Sequence, residues 1–332
     1  MPRILVTPVV YASGKGPWRD VLDAAGFECV FPQGDCTQMD RASLVKYLQG
    51  IDGTLASVER YDEEVFAGSK LKAVARVGVG YDAIDVAAAT RHGVAVAITP
   101  GTNENSVAEQ AISLITGLFR DLPRRDREIR TGKWRRDCPR RLAGNTIGLV
   151  GLGRIGKAMI GRCQGLGLKV LAFDPFADKA YAEKHGVKLC TFDELLAQSD
   201  IVSLHMPCTK ETTDLINSST LAKMKKDAVL INTSRGGLVD EDALMQALDS
   251  GHLSGAGLDV CKVEPLPANS PLLKYDNIIF APHLGGIDQE ALDAMGKLAA
   301  QCLVDLLTGG WPPEGCVVNV HDLRGSPLGV KK

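Results

Sequence analysis

Thr146-Ile147-Gly148-Leu149-Val150-Gly151-Leu152-Gly153-Arg154-Ile155-Gly156 is the stretch that decides the fold. An apolar run enters a Gly-x-Gly-x-x-Gly turn, and a helical pattern continues over 157–166. A strand that delivers the chain onto a helix N-terminus in this way points free N–H groups at an anion. Gly151 permits the tight turn, Gly153 lets the backbone approach a pyrophosphate, and Gly156 lets helix and strand pack closely. Asp174, followed by Pro175, stands at the end of the next apolar run, 169–173. A carboxylate there can accept both hydroxyls of an adenosine ribose and repels a 2′-phosphate, so the pattern points to NAD over NADP.

The alternation of short apolar runs with helical patterns extends in both directions from this turn, which predicts an α/β chain with parallel sheets. Strands are expected at 4–7, 29–31, 53–57, 74–76 and 95–98, enough for one doubly wound sheet. About six more are expected at 146–150, 169–173, 201–205, 229–232, 256–260 and 278–281, as a Rossmann dinucleotide-binding fold requires. A helix over 105–120 links the two series, and a second long helix is expected over 289–307. The Gly- and Pro-containing tail from 308 reads as a surface return.

The 332 residues suffice for two domains. Arginine and lysine (38) nearly balance aspartate and glutamate (40), for a net charge of −2, which argues against general affinity for nucleic acid or an anionic membrane. The Arg-rich segment 121–141 is interrupted by acidic residues and carries no aromatic ladder, so it reads as a solvated or subunit-contacting arm. No apolar run approaches the roughly 20 residues of a membrane span, and the N-terminus reads as a buried strand rather than a leader, so a cytoplasmic protein is expected. The nine cysteines, without a Cys-x-x-Cys pair, read as small buried hydrophobes and not as a disulfide or zinc framework.

Three segments follow strands of the second series: Asn232-Thr233-Ser234-Arg235-Gly236-Gly237, Asp259-Val260-Cys261-Lys262-Val263-Glu264-Pro265, and Pro282-His283-Leu284-Gly285-Gly286. Ligands of open α/β sheets bind beyond the carboxyl ends of the strands, so these segments are expected to converge. Arg235 has the planar fork to hold a carboxylate and polarise a neighbouring carbonyl. His283 can exchange a proton with that carbonyl, and Glu264 can hydrogen-bond its second ring nitrogen, fixing the ring and favouring its protonated form. With Arg235 and His283 supplying positive charge, no metal is required.

Together with Gly78-Val79-Gly80-Tyr81-Asp82, Ile84-Asp85, Asn105, Val107-Ala108-Glu109 and His205-Met206-Pro207, these segments make the chain resemble the D-2-hydroxyacid dehydrogenases, and within them the phosphoglycerate dehydrogenase branch. The resemblance implies a Rossmann NAD domain inserted in a flavodoxin-like substrate domain, with a cleft for the chemistry and a homodimer or larger oligomer. The expected boundaries are 1–103 with 295–332 for the substrate domain and 104–294 for the NAD domain. It implies that the backbone of Val77, Gly78 and Val79 meets the substrate carboxylate, with Asn105 near the substrate. It also places Asp259 at the nicotinamide carboxamide, Arg154 and Ile155 over the pyrophosphate, and Val107, His205, Pro207, Thr212, Thr233, Ser234, Gly285 and Gly286 along the cofactor. His205 then belongs to the cofactor wall and is not the acid/base.

The activity implied is D-3-phosphoglycerate dehydrogenase-like, on a 2-hydroxy or 2-keto acid. Arg76 matches a position near the phosphate in phosphoglycerate dehydrogenases, which act toward serine. The 55–58 loop lacks the arginine common in that branch, with Arg60 as the one candidate substitute, and Gly286-Ile287-Asp288 replaces its small-Ser-Thr continuation. Glyoxylate or hydroxypyruvate reduction and D-lactate oxidation therefore stand as alternatives, and an NAD-sensing corepressor-like binding protein is the non-enzymatic one. The extra C-terminal regulatory domain of long phosphoglycerate dehydrogenases is not expected.

Overall fold

Asp40, Asp62, Asp85 and Asp288 each place a carboxylate oxygen on the backbone N–H three residues ahead, the cap that starts a helix after an extended segment. In the computed structural model, which describes residues 1–33, 39–320 and 323, the chain divides into two units, Met1–Asn103 with Asp288–Lys332, and Glu104–Ile287. The return to the first unit falls at Ile287/Asp288 and not at 294/295. Asp288 caps the last helix, whose whole length packs in the first unit. Cys36, His321 and the end of the tail, 324–332, lie outside the described residues.

The first unit runs β1 (Arg3–Val6), α1 (Pro17–Ala24), β2 (Glu28–Val30), α2 (Arg41–Tyr47), β3 (Gly53–Ala56), α3 (Glu63–Ala67), β4 (Ala73–Arg76), α4 (Val86–Arg91) and β5 (Ala95–Ala97). Its five strands are parallel in the order β2-β1-β3-β4-β5. The strands β3 and β5 are buried throughout, which is why neither alternates polar with apolar residues, and the one polar side chain, Thr54, is buried with the Tyr61 hydroxyl as its partner.

The second unit begins with α5 (Glu104–Arg120) and α6 (Leu122–Arg130), followed by an irregular exposed stretch. It continues with β6 (Thr146–Val150), α7 (Arg154–Gly165), β7 (Lys169–Phe173), α8 (Lys179–Lys184), β8 (Lys188–Leu189) and α9 (Phe192–Gln198). The remaining elements are β9 (Ile201–Leu204), α10 (Ser218–Leu221), β10 (Ala228–Asn232), α11 (Glu241–Asp249), β11 (Leu253–Leu258) and β12 (Ile278–Phe280). All its strand pairs are parallel, in the order β12-β11-β10-β9-β6-β7-β8. The sheet has seven strands where about six were expected. The additional β8 spans two residues, too few to register as a periodic run.

Helix α12 (Gln289–Thr308) returns to the first unit and buries Met295, Ala299 and Leu303. A Cβ on Gly53 would come within 3.1 Å of Leu303, so the glycine at the start of β3 is what lets this helix lie close to the sheet. Among the described residues no helix is long and apolar enough to cross a membrane. The cysteines are less uniform than expected. Cys163, Cys302 and Cys316 are buried, Cys29, Cys190, Cys208 and Cys261 are half-buried, and Cys138 is exposed on the stretch after α6.

Candidate active site

The glycine turn has the shape that its sequence implies. Gly151 sits at φ 102°, and a Cβ there would lie 2.4 Å from the His205 carbonyl oxygen. A Cβ on Gly156 would lie 2.3 Å from the Gly151 carbonyl oxygen. Gly153, by contrast, caps α7 and faces open space, leaving room for a phosphate above the first turn of the helix. Arg154 and Ile155 form that first turn. Asp174 closes the turn from the side, with Oδ2 accepting the Leu152 N–H and Oδ1 the Phe176 N–H, both at 2.8 Å, past Pro175. Each oxygen keeps a second lone pair for a ribose hydroxyl. The Thr233 hydroxyl is buried without a protein partner, as a group awaiting a ligand would be. These features fit a bound dinucleotide.

Around that turn, Thr212 Oγ1 donates to the Pro207 carbonyl at 2.9 Å, which ties the loop after β9 to itself. Ser234 Oγ donates to the Leu204 carbonyl at 2.7 Å, joining the ends of β10 and β9. His205 is buried, with Nε2 2.9 Å from Ser203 Oγ. Burial alone pushes its pKa down to about 4, so the ring is neutral near pH 7 and does not act as a proton donor there.

The carboxyl ends of β10, β11 and β12 bring together Arg235, Glu264 and His283. His283 Nδ1 lies 2.7 Å from Glu264 Oε2, and Glu264 Oε1 accepts the Cys261 N–H at 2.9 Å. Burial pushes the Glu264 carboxyl up. The hydrogen bonds from His283 and Cys261, with the charges of His283 and Arg235, outweigh it and hold the group below the ordinary carboxylate range. His283 itself sits at φ 55°, the left-handed region. Its N–H donates to the Asp259 carbonyl at 2.8 Å. Nδ1 is taken up by Glu264, so any further hydrogen bond of the ring must be made by Nε2.

A model of the D-isomer specific 2-hydroxyacid dehydrogenase NAD binding domain matches residues 112–285. The chain belongs to the D-isomer specific 2-hydroxyacid dehydrogenases. A D-3-phosphoglycerate dehydrogenase of Archaeoglobus fulgidus is 41% identical over 82% of this chain and 53% of its own length. The chain thus spans about half of that relative. A glyoxylate reductase of Thermofilum pendens is 38% identical over 98% of this chain and 97% of its own. A crystal structure of a Thermus thermophilus protein superposes with a TM-score of 0.87 at 35% identity, covering 95% of this chain and 99% of that one. NAD is the cofactor of this family's matched domain.

The support of the loops that carry Arg235 and His283 is a feature that the sequence reading missed. Asp259 is buried, and its two carboxylate oxygens accept the N–H groups of Leu284 (2.9 Å) and Gly285 (2.8 Å), directly after His283. Its side chain thereby orients the histidine loop, in addition to the nicotinamide contact expected of it. A Cβ on Gly285 would lie 2.8 Å from Asp259 Oδ2 and 3.7 Å from Val107, so Val107 is brought to this loop, with Gly286 following. Asn232 does the same for the arginine: its Oδ1 accepts the Ser234 N–H at 3.0 Å, and its Nδ2 donates to the Arg235 carbonyl at 2.8 Å. An asparagine at a strand end before a tight turn is a signal that could have been read.

Asn105 at the start of α5 accepts from Arg162 on α7 at 3.1 Å. Arg76, Val77, Gly78 and Val79 lie in the first unit, at the carboxyl end of β4. Gly78 has φ 142°, and a Cβ there would overlap the Arg76 guanidinium, which folds over it and donates to the Val77 carbonyl.

Proposed function

We propose that this chain is an NAD-dependent oxidoreductase that interconverts a D-2-hydroxy acid and its 2-keto acid, with Arg235, Glu264 and His283 as its reacting groups. The observation that carries this is the His283–Glu264 contact of 2.7 Å at the end of β12. It commits one ring nitrogen to a carboxylate and the other to the substrate. Arg235 holds the substrate carboxylate with its planar fork and draws electron density from the adjacent carbonyl. A nicotinamide cofactor held at the Gly151–Gly156 turn and by Asp174 would supply hydride chemistry at the carbonyl carbon. His283 delivers a proton from Nε2 to the carbonyl oxygen, and in the reverse direction it takes that proton from the alcohol. Glu264 keeps the ring oriented and stabilises it while it is charged.

The first unit is assigned to the substrate, with the backbone of Val77–Val79 on the substrate carboxylate and Asn105 near it. We also assign a cytoplasmic homodimer. The exposed Leu122, Ile129 and Trp134 on the arm after α5 support a second copy as their cover, and sedimentation of the purified protein tests it. NADH oxidation against hydroxypyruvate, its phosphate ester, glyoxylate and pyruvate tests the activity. Turnover of at least one is expected. Turnover of none, with NADH-dependent capture of a protein partner, would instead indicate a corepressor-like binding protein.

A further inference from the structure

At the carboxyl end of the first unit's sheet lies a buried carboxylate that the chemistry above does not use. The strand order places a switch point between β1 and β3, because the chain leaves β1 toward β2 on one side and comes back to β3 on the other. In open α/β sheets that is where ligands gather. Here the place is taken by Glu59, which is 3% exposed. Its Oε1 accepts from the Thr7 hydroxyl at the end of β1 and from the Tyr61 hydroxyl at 3.1 Å. Both of its oxygens accept the Ser57 N–H at 3.1 Å. Thr54 in turn pairs with the Tyr61 hydroxyl at 3.2 Å. The loops around this carboxylate present apolar side chains outward: Val9, Val10 and Val58 are each about half exposed, at 51%, 50% and 50%. Tyr81, after β4, is 41% exposed. The loop cation Arg60 points to solvent, 4.0 Å from Asp62. Arg76 at the end of β4 is laid over Gly78 onto the Val77 carbonyl.

We infer that the first unit selects 2-keto acids whose side chain is short and carries no second anionic group, with Glu59 as a specificity-determining positioning residue. This rests on the dehydrogenase reading proposed above. With the substrate carboxylate at the end of β4, the substrate side chain extends toward the adjacent ends of β3 and β1. It meets valines there, backed by a buried negative charge. A small uncharged group loses little on entering such a place. A phosphate loses its water, meets no cation turned toward it, since Arg60 faces solvent beside Asp62, and is repelled by Glu59. The four hydrogen bonds to Glu59 also hold the 57–59 turn in place, so the same residue shapes the wall and sets its charge.

The test compares hydroxypyruvate with its phosphate ester, which differ only in the group concerned, using the intact protein and NADH. The wild type is expected to show kcat/KM for hydroxypyruvate about 100-fold above that for the ester. Glu59→Gln is expected to narrow that ratio about tenfold, by removing the charge while keeping the side chain's shape. A purely structural role for Glu59 would change both substrates alike and leave the ratio where it was. Val58→Arg, at an exposed position that does not endanger folding, is expected to raise the ester's kcat/KM about tenfold. Equal or better use of the ester by the wild type overturns the inference, as does an unchanged ratio in both variants. Turnover of neither substrate, with none of glyoxylate or pyruvate, overturns the dehydrogenase reading and this inference with it.

Discussion

His283 Nδ1 and Glu264 Oε2 stand 2.7 Å apart although nineteen residues separate them in the chain. Glu264 is fixed by a second bond to the Cys261 N–H, and the histidine backbone is fixed to the Asp259 carbonyl at 2.8 Å. Both partners of the pair proposed to transfer the proton are therefore held by main chain as well as by each other. Neither needs to reorganise as charge develops on the ring.

Replacing His283 with alanine is expected to lower kcat by about 10²–10⁴-fold, the usual contribution of a positioned acid/base. NADH affinity should stay unchanged, because the glycine turn and Asp174 are untouched. Steady-state kinetics alongside fluorescence titration of NADH checks this. Unchanged turnover would move the proton transfer to another residue.

Glu264→Gln removes the charge while keeping the shape, and is expected to cost about 10- to 100-fold in kcat. The Glu264 carboxyl is held below its unfolded value, so its contribution to stability is present above the unfolded pKa and is lost as pH falls through the folded one. The acid limb of the wild-type stability curve should therefore carry a component that the glutamine variant lacks. Thermal melts from neutral pH downward measure it.

His205 is shifted in the same direction for the opposite reason, because burial favours its neutral form. Its folded pKa of about 4 lies below the ordinary value of about 6.5, so the folded state resists protonation. Stability from the neutral ring is complete above pH about 6.5 and is lost as pH falls toward 4, by about 3 kcal/mol in all. A His205→Gln variant should show a flatter dependence across that window. Chemical denaturation at several pH values reads the difference.

Asp174→Ala is expected to weaken NADH binding about tenfold, through loss of the carboxylate proposed to meet the ribose and of its bonds to Leu152 and Phe176. NADPH binding should improve relative to NADH, since the repulsion of a 2′-phosphate goes with the charge. Titration with both cofactors decides it, and a preserved preference for NADH would place the discrimination elsewhere.

Leu303→Ala tests the packing of α12. Leu303 is fully buried in the core of the first unit and lies against Gly53. The cavity should cost about 2–5 kcal/mol, seen as a lowered midpoint of unfolding.

What could be read from the sequence alone was whatever depends on near neighbours. The turn at Gly151–Gly156, Asp174 at the end of the next strand, and the three strand-end segments with Arg235, Glu264 and His283 are local patterns. Backbone freedom at glycine and the alternation of strand with helix impose them. The legible part of the fold followed from these: parallel sheets, two units, and a linking helix that begins at Glu104.

Only the tertiary structure decided the rest. Strand β8 is too short to announce itself, and the return to the first unit depends on where α12 packs. The working partners of Asp259 lie 25 and 26 residues away, and Thr7 lies 52 residues from Glu59. A lone Asp or Glu in sequence is indistinguishable from a solvated surface charge. Burial removes the water that would otherwise satisfy it, and only folding determines which distant N–H and O–H groups take that water's place.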